Sequence, residues 1–378
     1  MDSSAFTKLG EVVGQIRDPR VTNRSDHLLV DIVGITILAV LSGADDFVAV
    51  ASFAGERRDW LAGFFELLLG IPSHDTFVRV WGLLDPKAFS AALVNWTAAL
   101  QTALNGRIVA IEGKTARGSA SPAKGVRALH LVSAWAIEAG LTLGQVAVDA
   151  KSNEITAIPE LLDIISVNGA TVTIDAMGMQ KAIVETIREK KADYVIGLQD
   201  NQPTLAADMH ALLDEGCHTD FAGLVTDLHV TVEKARGGTE QRDVRALEIP
   251  QDSPHRQTWK DLRTLAIVLT RTERQGLETF ETRLYLSSCP PAAKRLAKAL
   301  RSHWALENTL HWSLDVTFGE DHHRLLDRHS VCHLSAIRRL CVSIRRRETT
   351  SKLGAKNKRF KAALNPHELL ELLEKLEL

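Results

Sequence analysis

The stretch between residues 107 and 198 restricts the possible folds more than any other part of the chain. Three apolar, β-branched runs follow one another, RIVAI (107–111), LHLVSAWAI (129–137) and LTLGQVAV (141–148), with Gly140 in the second connection. Such a succession predicts an antiparallel meander. A helical pattern with Glu154, Ile158, Leu161 and Leu162 comes next, then the strand ATVTID (170–175), a helix from about Gly178 to Lys191, and the strand DYVIGL (193–198). Strands separated by helices pair in parallel. The expected core is therefore a mixed sheet flanked by helices, of the α/β class.

On either side the texture changes. Residues 26–104 show helical periodicity, punctuated at GADD (43–46), GIPSHDTF (70–77) and LLDPKAF (83–89), where Ser73, Asp75 and Asp85 are capping-type residues. An all-helical N-terminal domain, 1–104, is expected. Its longest apolar run, HLLVDIVGITILAVLSG (27–43), contains Asp31 and is followed by Asp45 and Asp46. It falls short of the ~20 apolar residues that a membrane-spanning helix requires, so a buried core helix is predicted. From about 203 to 290 the sequence reads as a β-rich insertion, with strands at 228–235, 241–249, 264–273 and 280–288. A long helix then starts after Pro290-Pro291 and carries residues 297–321, and a basic, leucine-rich helical tail occupies 351–378. The central domain would run from 105 to 350.

Charge is almost balanced, 45 Lys and Arg against 47 Asp and Glu, so local clusters and not the overall field decide what the protein can bind. Cys217, Cys289, Cys332 and Cys341 form no CxxC pair and no secretory leader is visible, which suits a reducing cytoplasm.

Two acids stand at expected strand ends. Glu112 follows RIVAI and is itself followed by Gly113, Lys114 and Arg117; Asp175 follows ATVTI and leads into Ala-Met-Gly. Adjacent carboxylates repel unless they share a proton or hold a divalent cation, and oxygen ligands favour Mg²⁺ or Mn²⁺. A third acid, Glu307, lies mid-helix. At helical spacing His303, Trp304, Glu307, Asn308, His311 and Asp315 share one face. A solvated polar face would look similar, but Trp304 and Trp312 are unusual on one. Two other chemistries stay open on these residues alone. EDHHRLLDRHSVCH (320–333) offers a zinc-type spacing at His329 and His333, and paired carboxylates also serve glycosidases.

The blocks AIEGKTARGS (110–119), KSNEITAIPELL (151–162), TIDAMGMQ (173–180), ADYVIGLQDNQ (192–202) and RSHWALENTLHWSLDVTFGED (301–321) resemble those of insertion-sequence transposases of the H-repeat-associated group, DDE enzymes with an RNase H-like core. GIPSHDTFVRVWGLLDP (70–86) is similar to the helical domain that accompanies this core. The resemblance implies that Glu112, Asp175 and Glu307 are the catalytic, metal-holding acids, with Mg²⁺ or Mn²⁺ as cofactor. It also implies double-stranded DNA as partner, both terminal inverted repeats and target; the logic of a reaction on two DNA ends adds the expectation of a homodimer.

Three positions depart from the family pattern. Glu112 stands where the family has Asp, Gln199-Asp200 where it has Lys-Gly, and in ARGGTEQR (235–242) only Glu240 and Arg242 keep their places. An alternative reading follows, a catalytically impaired transposase derivative that binds DNA. For contact with DNA the candidates are Lys114, Arg117, Lys151, Asn201, Gln202, Arg301, His303 and Trp304. To these are added Arg338, Arg339, Arg345 and Arg346 from the basic run 336–361, which has ten Lys or Arg and one acid, Glu348.

Overall fold

The computed structural model describes residues 4–21, 25–101, 104–148, 154–235 and 238–374. Helices α1 (Ser4–Gly14), α2 (Leu29–Leu41), α3 (Phe47–Glu56), α4 (Arg58–Leu61), α5 (His74–Leu83) and α6 (Pro86–Gln101) come first. Strands β1 (Ile108–Ala116), β2 (Leu129–Ala136) and β3 (Leu141–Val148) follow, then α7 (Glu154–Ile164), β4 (Thr171–Ile174), a 3₁₀ turn (Ala176–Gly178), α8 (Lys181–Glu189), β5 (Asp193–Leu198) and α9 (Pro203–His218). The next block holds β6 (Thr226–Ala235), β7 (Gly238–Glu248), the short α10 (Pro254–Thr258), β8 (Thr264–Arg274) and β9 (Leu277–Ser287). Helix α11 (Ala293–Leu306) runs into π-helical turns at Glu307–His311 and Ser313–Thr317, and α12 (Arg328–Arg347), α13 (Ala355–Leu364) and α14 (Pro366–Glu374) complete the chain.

Two compact units result. One comprises Met1–Ala103, Gly113–Asn153 and Glu307–Leu378, the other Leu104–Glu112 and Glu154–Leu306, so β1 passes from one to the other. The linear division expected from sequence is thus crossed, because the C-terminal helices pack with the N-terminal ones.

In the first unit the strand order is β3-β2-β1. Strands β2 and β3 are antiparallel, from His130↔Val148 to Ala136↔Leu141, and Gly140 turns between them at φ 60°. Helix α2 is buried along nearly its whole length, as expected of a core helix. Its one acid, Asp31, accepts the Leu67 backbone N–H on Oδ2 at 3.0 Å, and Thr36 accepts from the Trp81 indole at 3.1 Å. Ser73 caps α5 and Asp46 caps α3, since each side chain accepts an otherwise orphaned N–H of the first turn. Every residue of α12 from Ser330 to Arg345 is buried. Among the described residues no helix is long and apolar enough to cross a membrane.

In the second unit the order is β1-β4-β5-β9-β8-β7-β6. The β1–β4 and β4–β5 pairs are parallel, in registers Ile108↔Thr171 to Ile111↔Ile174 and Thr171↔Asp193 to Ile174↔Ile196. Antiparallel pairing takes over at β5–β9 and continues through β8, β7 and β6. Helix α11 is tied to β4 twice, by Arg295 Nη2 donating to Thr171 Oγ1 at 3.1 Å and by the 3.0 Å bond between Thr173 Oγ1 and His303 Nδ1.

Two expectations about local structure need correction. Strand β1 does not end at Glu112 but runs four residues further, because Lys114 and Ala116 are buried on the first unit's side and keep the strand extended. The helix carrying Glu307 is not uniformly α-helical: it changes to π-helical turns at Glu307 itself, so the face drawn through 303, 307, 311 and 315 at 3.6 residues per turn does not apply.

Candidate active site

Glu112 lies on β1 one residue beyond the last paired position, Ile111↔Ile174. Asp175 likewise follows Ile174, the partner of Ile111, so the two acids come directly after the last paired residues of neighbouring parallel strands. Asp175 has just left β4, and its carboxylate caps the 3₁₀ turn by accepting the Met177 N–H at 3.1 Å. The residue as a whole is exposed, yet enough protein surrounds the carboxyl that desolvation raises its pKa. The negative charge of Glu154 adds to that rise. Glu154 opens α7, which packs on the same turn. Sequence reasoning placed Glu154 on a helix without assigning it a role, and the SNEIT helix start was the available signal.

Glu307 follows Leu306, the last residue of α11, and its side chain is exposed. Two residues of α11 expected to face DNA are accounted for by the second unit's own packing. His303 bonds to Thr173, and burial pushes its imidazole down to about 4, so the ring is neutral at physiological pH. Trp304 is half-buried against Tyr285, with the guanidinium groups of Arg242 and Arg283 5.8 and 5.4 Å from its ring centre. Among the described residues, no group of three or more His, Cys, Asp or Glu is placed to hold a metal as it stands.

The first unit contains a charge cluster that sequence reasoning missed. The Lys114 ammonium lies 2.6 Å from Asp315, 3.2 Å from Glu320 and 3.6 Å from Asp321, and the side chain is only 8% exposed. Burial disfavours the ammonium, but Glu320, Asp315 and Asp321 together outweigh it and hold its pKa above the ordinary value. Glu320 is buried too, and burial alone would raise its carboxyl. Arg339, Lys114 and Arg338, with the Ser335 hydroxyl, bring it down to about 2. The GED triplet at 319–321 was the available signal.

Residues 103–344 match the family described as the Transposase DDE domain, and residues 11–97 the one described as DDE_Tnp_1-associated. The chain belongs to the DDE transposases. It is 36% identical to "Putative transposase YncI" of Escherichia coli O157:H7, over 98% of this chain and 95% of that one. It is 32% identical to "H repeat-associated putative transposase YhhI" of Escherichia coli K12, over 97% of each. A piggyBac transposase synaptic complex with hairpin DNA superimposes with a TM-score of 0.42 at 10% identity, too distant to bear on the fold.

The transposase's expected DNA-facing residues divide sharply. Arg338, Arg339 and Arg345 are 5%, 0% and 5% exposed, which corrects their assignment to DNA. Arg338 donates to the Asp45 carbonyl, Arg345 to the Ala355 carbonyl, and Arg339 to Glu320 and Ser335. The reason is that α12 is packed on all sides, so its basic residues satisfy internal acceptors. Its apolar positions Val331, Leu334, Ile337, Leu340 and Ile344 could have shown this in the sequence. Lys114 is likewise committed to its three carboxylates. Asn201 and Gln202 turn their amide nitrogens onto backbone carbonyls of the transposase itself, those of Ala176 and Met179. Arg117 and Arg346 are exposed, the latter 5.5 Å from the centre of the Trp135 ring. Arg301 is exposed and paired to Glu233 at 2.6 Å. Lys151 lies outside the described residues. Of the zinc-type pair, His333 is buried between Trp81 and Phe89, while His329 is exposed and bonds to the Gly82 carbonyl.

Proposed function

We propose that this protein is an insertion-sequence transposase that cleaves DNA at the element's ends and transfers the strands to target DNA. Glu112, Asp175 and Glu307 would hold Mg²⁺ or Mn²⁺. The observation that carries the reading is that the Asp175 carboxyl, at the end of β4, has its pKa raised by desolvation and by the neighbouring charge of Glu154. Glu112 and Asp175 follow the paired residues Ile111 and Ile174. A divalent cation is the charge such a group of acids lacks, and all-oxygen donors suit Mg²⁺ or Mn²⁺. When bound, such a cation activates the attacking oxygen and stabilises the leaving oxygen of an in-line phosphoryl displacement.

The chain's own residues prepare that site. The Met177 N–H holds the Asp175 carboxylate on one side, and neutral His303 ties α11 to the strand that leads to Asp175 without adding charge. Exposed Arg117, 3.8 Å from Asp321, and Arg346, beside Trp135, are the notable candidates to meet phosphate, with an affinity that falls steeply as salt rises. The parallel strands β1, β4 and β5 with the antiparallel β2 and β3 are read as an RNase H-like core, and β6–β9 as its insertion. The partners would be terminal inverted repeats and target duplex, a homodimer would span two ends, and the compartment would be the cytoplasm.

A second reading, an impaired enzyme that only binds DNA, is favoured by one observation. Glu112 is a methylene longer than the family's aspartate, and a carboxylate is displaced by about a bond length where metal sites tolerate about 0.2 Å. One experiment separates the two: nicking of a duplex carrying the element's terminal repeats, with Mg²⁺ or Mn²⁺, by the natural protein, Glu112→Asp and Asp175→Asn. Nicking by the natural protein that Asp175→Asn abolishes supports the enzyme. Nicking by Glu112→Asp alone, with the natural protein still shifting the duplex in chelator, supports the second reading.

A further inference from the structure

The loop that leaves β5 is built to brace the turn behind Asp175. Asn201 Nδ2 donates to the carbonyl of Ala176 at 2.8 Å, and Gln202 Nε2 donates to that of Met179 at 2.9 Å. These carbonyls stand at the two ends of the 3₁₀ turn whose Met177 N–H holds the Asp175 carboxylate. The backbone is fitted to the same purpose. The β4–β5 register, carried one residue past Ile174↔Ile196, sets Gly197 beside Asp175, and a Cβ on Gly197 would stand 2.9 Å from the Ala176 nitrogen. A Cβ on Gly178 would stand 2.4 Å from Ile174 Cγ2. The turn therefore lies as close to β5 and β4 as backbone allows, and two side-chain amides clamp its ends.

We propose that Asn201 and Gln202 are positioning residues for Asp175: their paired amides fix the 176–179 turn and so the direction in which the carboxylate presents itself to a divalent cation. Neither residue touches the cation or the DNA in this scheme. Three-residue turns have few hydrogen bonds of their own, and a carboxylate held by the backbone N–H groups of such a turn, here those of Met177 and Gly178, swings with it. A shift of a few tenths of an ångström is enough to weaken a metal ligand. The Asn-Gln pair precedes Pro203, which opens α9 and fixes φ at the point where the loop becomes helix, so the two amides come from a rigid corner.

The inference rests on Asp175 being a metal ligand, and the test keeps the two claims apart. Mn²⁺ binding to the full-length protein is measured by counting free Mn²⁺ in solution by electron paramagnetic resonance. The natural protein is compared with Asn201→Leu, Gln202→Met, the double variant and Asp175→Asn. Unfolding midpoints in urea are recorded alongside, and nicking rates are taken from low to saturating Mn²⁺. The expected result is a dissociation constant raised about 10-fold in each single variant and more in the double, as for other residues that orient a metal ligand. Nicking recovers at saturating Mn²⁺, which a general loss of folded protein would not allow. Unchanged Mn²⁺ affinity in the folded double variant, with Asp175→Asn abolishing binding, overturns the positioning role and leaves the site intact. Unchanged affinity in Asp175→Asn overturns the site reading itself. If the leucine and methionine variants unfold, Asn201→Ser and Gln202→Asn, which keep polar groups too short to reach, take their place with the same two outcomes.

Discussion

Thr173 Oγ1 and His303 Nδ1 are 3.0 Å apart, a single hydrogen bond joining the strand that leads to Asp175 with the helix that leads to Glu307. Thr173 stands two residues before Asp175, and the bond fixes α11 against the end of the strand from which Asp175 emerges. Burial keeps the imidazole neutral near physiological pH, with its pKa down at about 4. Thr173→Val keeps the shape and removes the hydroxyl, leaving a buried ring nitrogen without its partner. The expected cost is about 1–3 kcal/mol, read as a lowered urea midpoint, while Thr173→Ser should stay within about 0.5 kcal/mol of the natural protein.

The buried charges around Glu320 make a larger effect available. Glu320 and Arg339 are 3% and 0% exposed and 3.3 Å apart, with Lys114 on the other side of the carboxylate. Replacing one member of a buried pair strands its partner's charge. Glu320→Gln is expected to destabilise the protein by about 3–5 kcal/mol. Differential scanning calorimetry would record this as a drop in Tm, and a Tm equal to the natural protein's would mean that Arg339 is neutralised by something else.

The strands and most helices could be read in the sequence because alternation and β-branching need only local patterning to be visible. DYVIGL became β5 at the expected residues, and the parallel pairing of β1, β4 and β5 followed from their order. What could not be read is what depends on partners distant in sequence. The arginine pairs 338–339 and 345–346 look the same in sequence whether they meet phosphate or buried carbonyls, and only the packing around α12 decides. Lys114 likewise reads as a loose cation beside Glu112 until Asp315, Glu320 and Asp321, some two hundred residues later, are brought to it. The amides of Asn201 and Gln202 were legible as polar groups but not as inward-facing ones. The π-helical turns at Glu307 leave no periodic signature in a stretch of mixed polar and aromatic residues.

Gly197 offers a test of how tightly the turn after Asp175 is held. The Ala176 nitrogen, 2.9 Å from where a Cβ would sit, is backbone and cannot rotate aside as a flexible side chain could. Gly197→Ala must therefore push the turn outward or strain β5, at a cost of about 1–3 kcal/mol. Because the displaced atoms adjoin Asp175, nicking should fall by more than the loss of stability explains. Nicking assays at a temperature where the variant is fully folded would show this, and a rate matching the natural protein would show that the turn tolerates the shift.

His333 should make the protein sensitive to mild acid. Its ring is 1% exposed, lies 5.2 and 5.1 Å from the ring centres of Trp81 and Phe89, and burial is the main reason its pKa falls to about 4. In the unfolded chain the same imidazole titrates near 6.5. Above that pH both states hold it neutral and the stability is complete. As pH falls from 6.5 towards 4 the unfolded state takes up a proton that the folded state refuses, so stability declines by about 1.4 kcal/mol per pH unit, roughly 3 kcal/mol in all. Other groups titrate in the same window, His303 among them, so the comparison is with His333→Leu. Urea midpoints of the two proteins at pH 7.5, 6, 5 and 4.5 should converge or cross as the pH falls, because only the natural protein loses the His333 contribution. A gap between the two curves that stays constant over this range would mean that the folded protein accepts the proton at His333 as readily as the unfolded chain does.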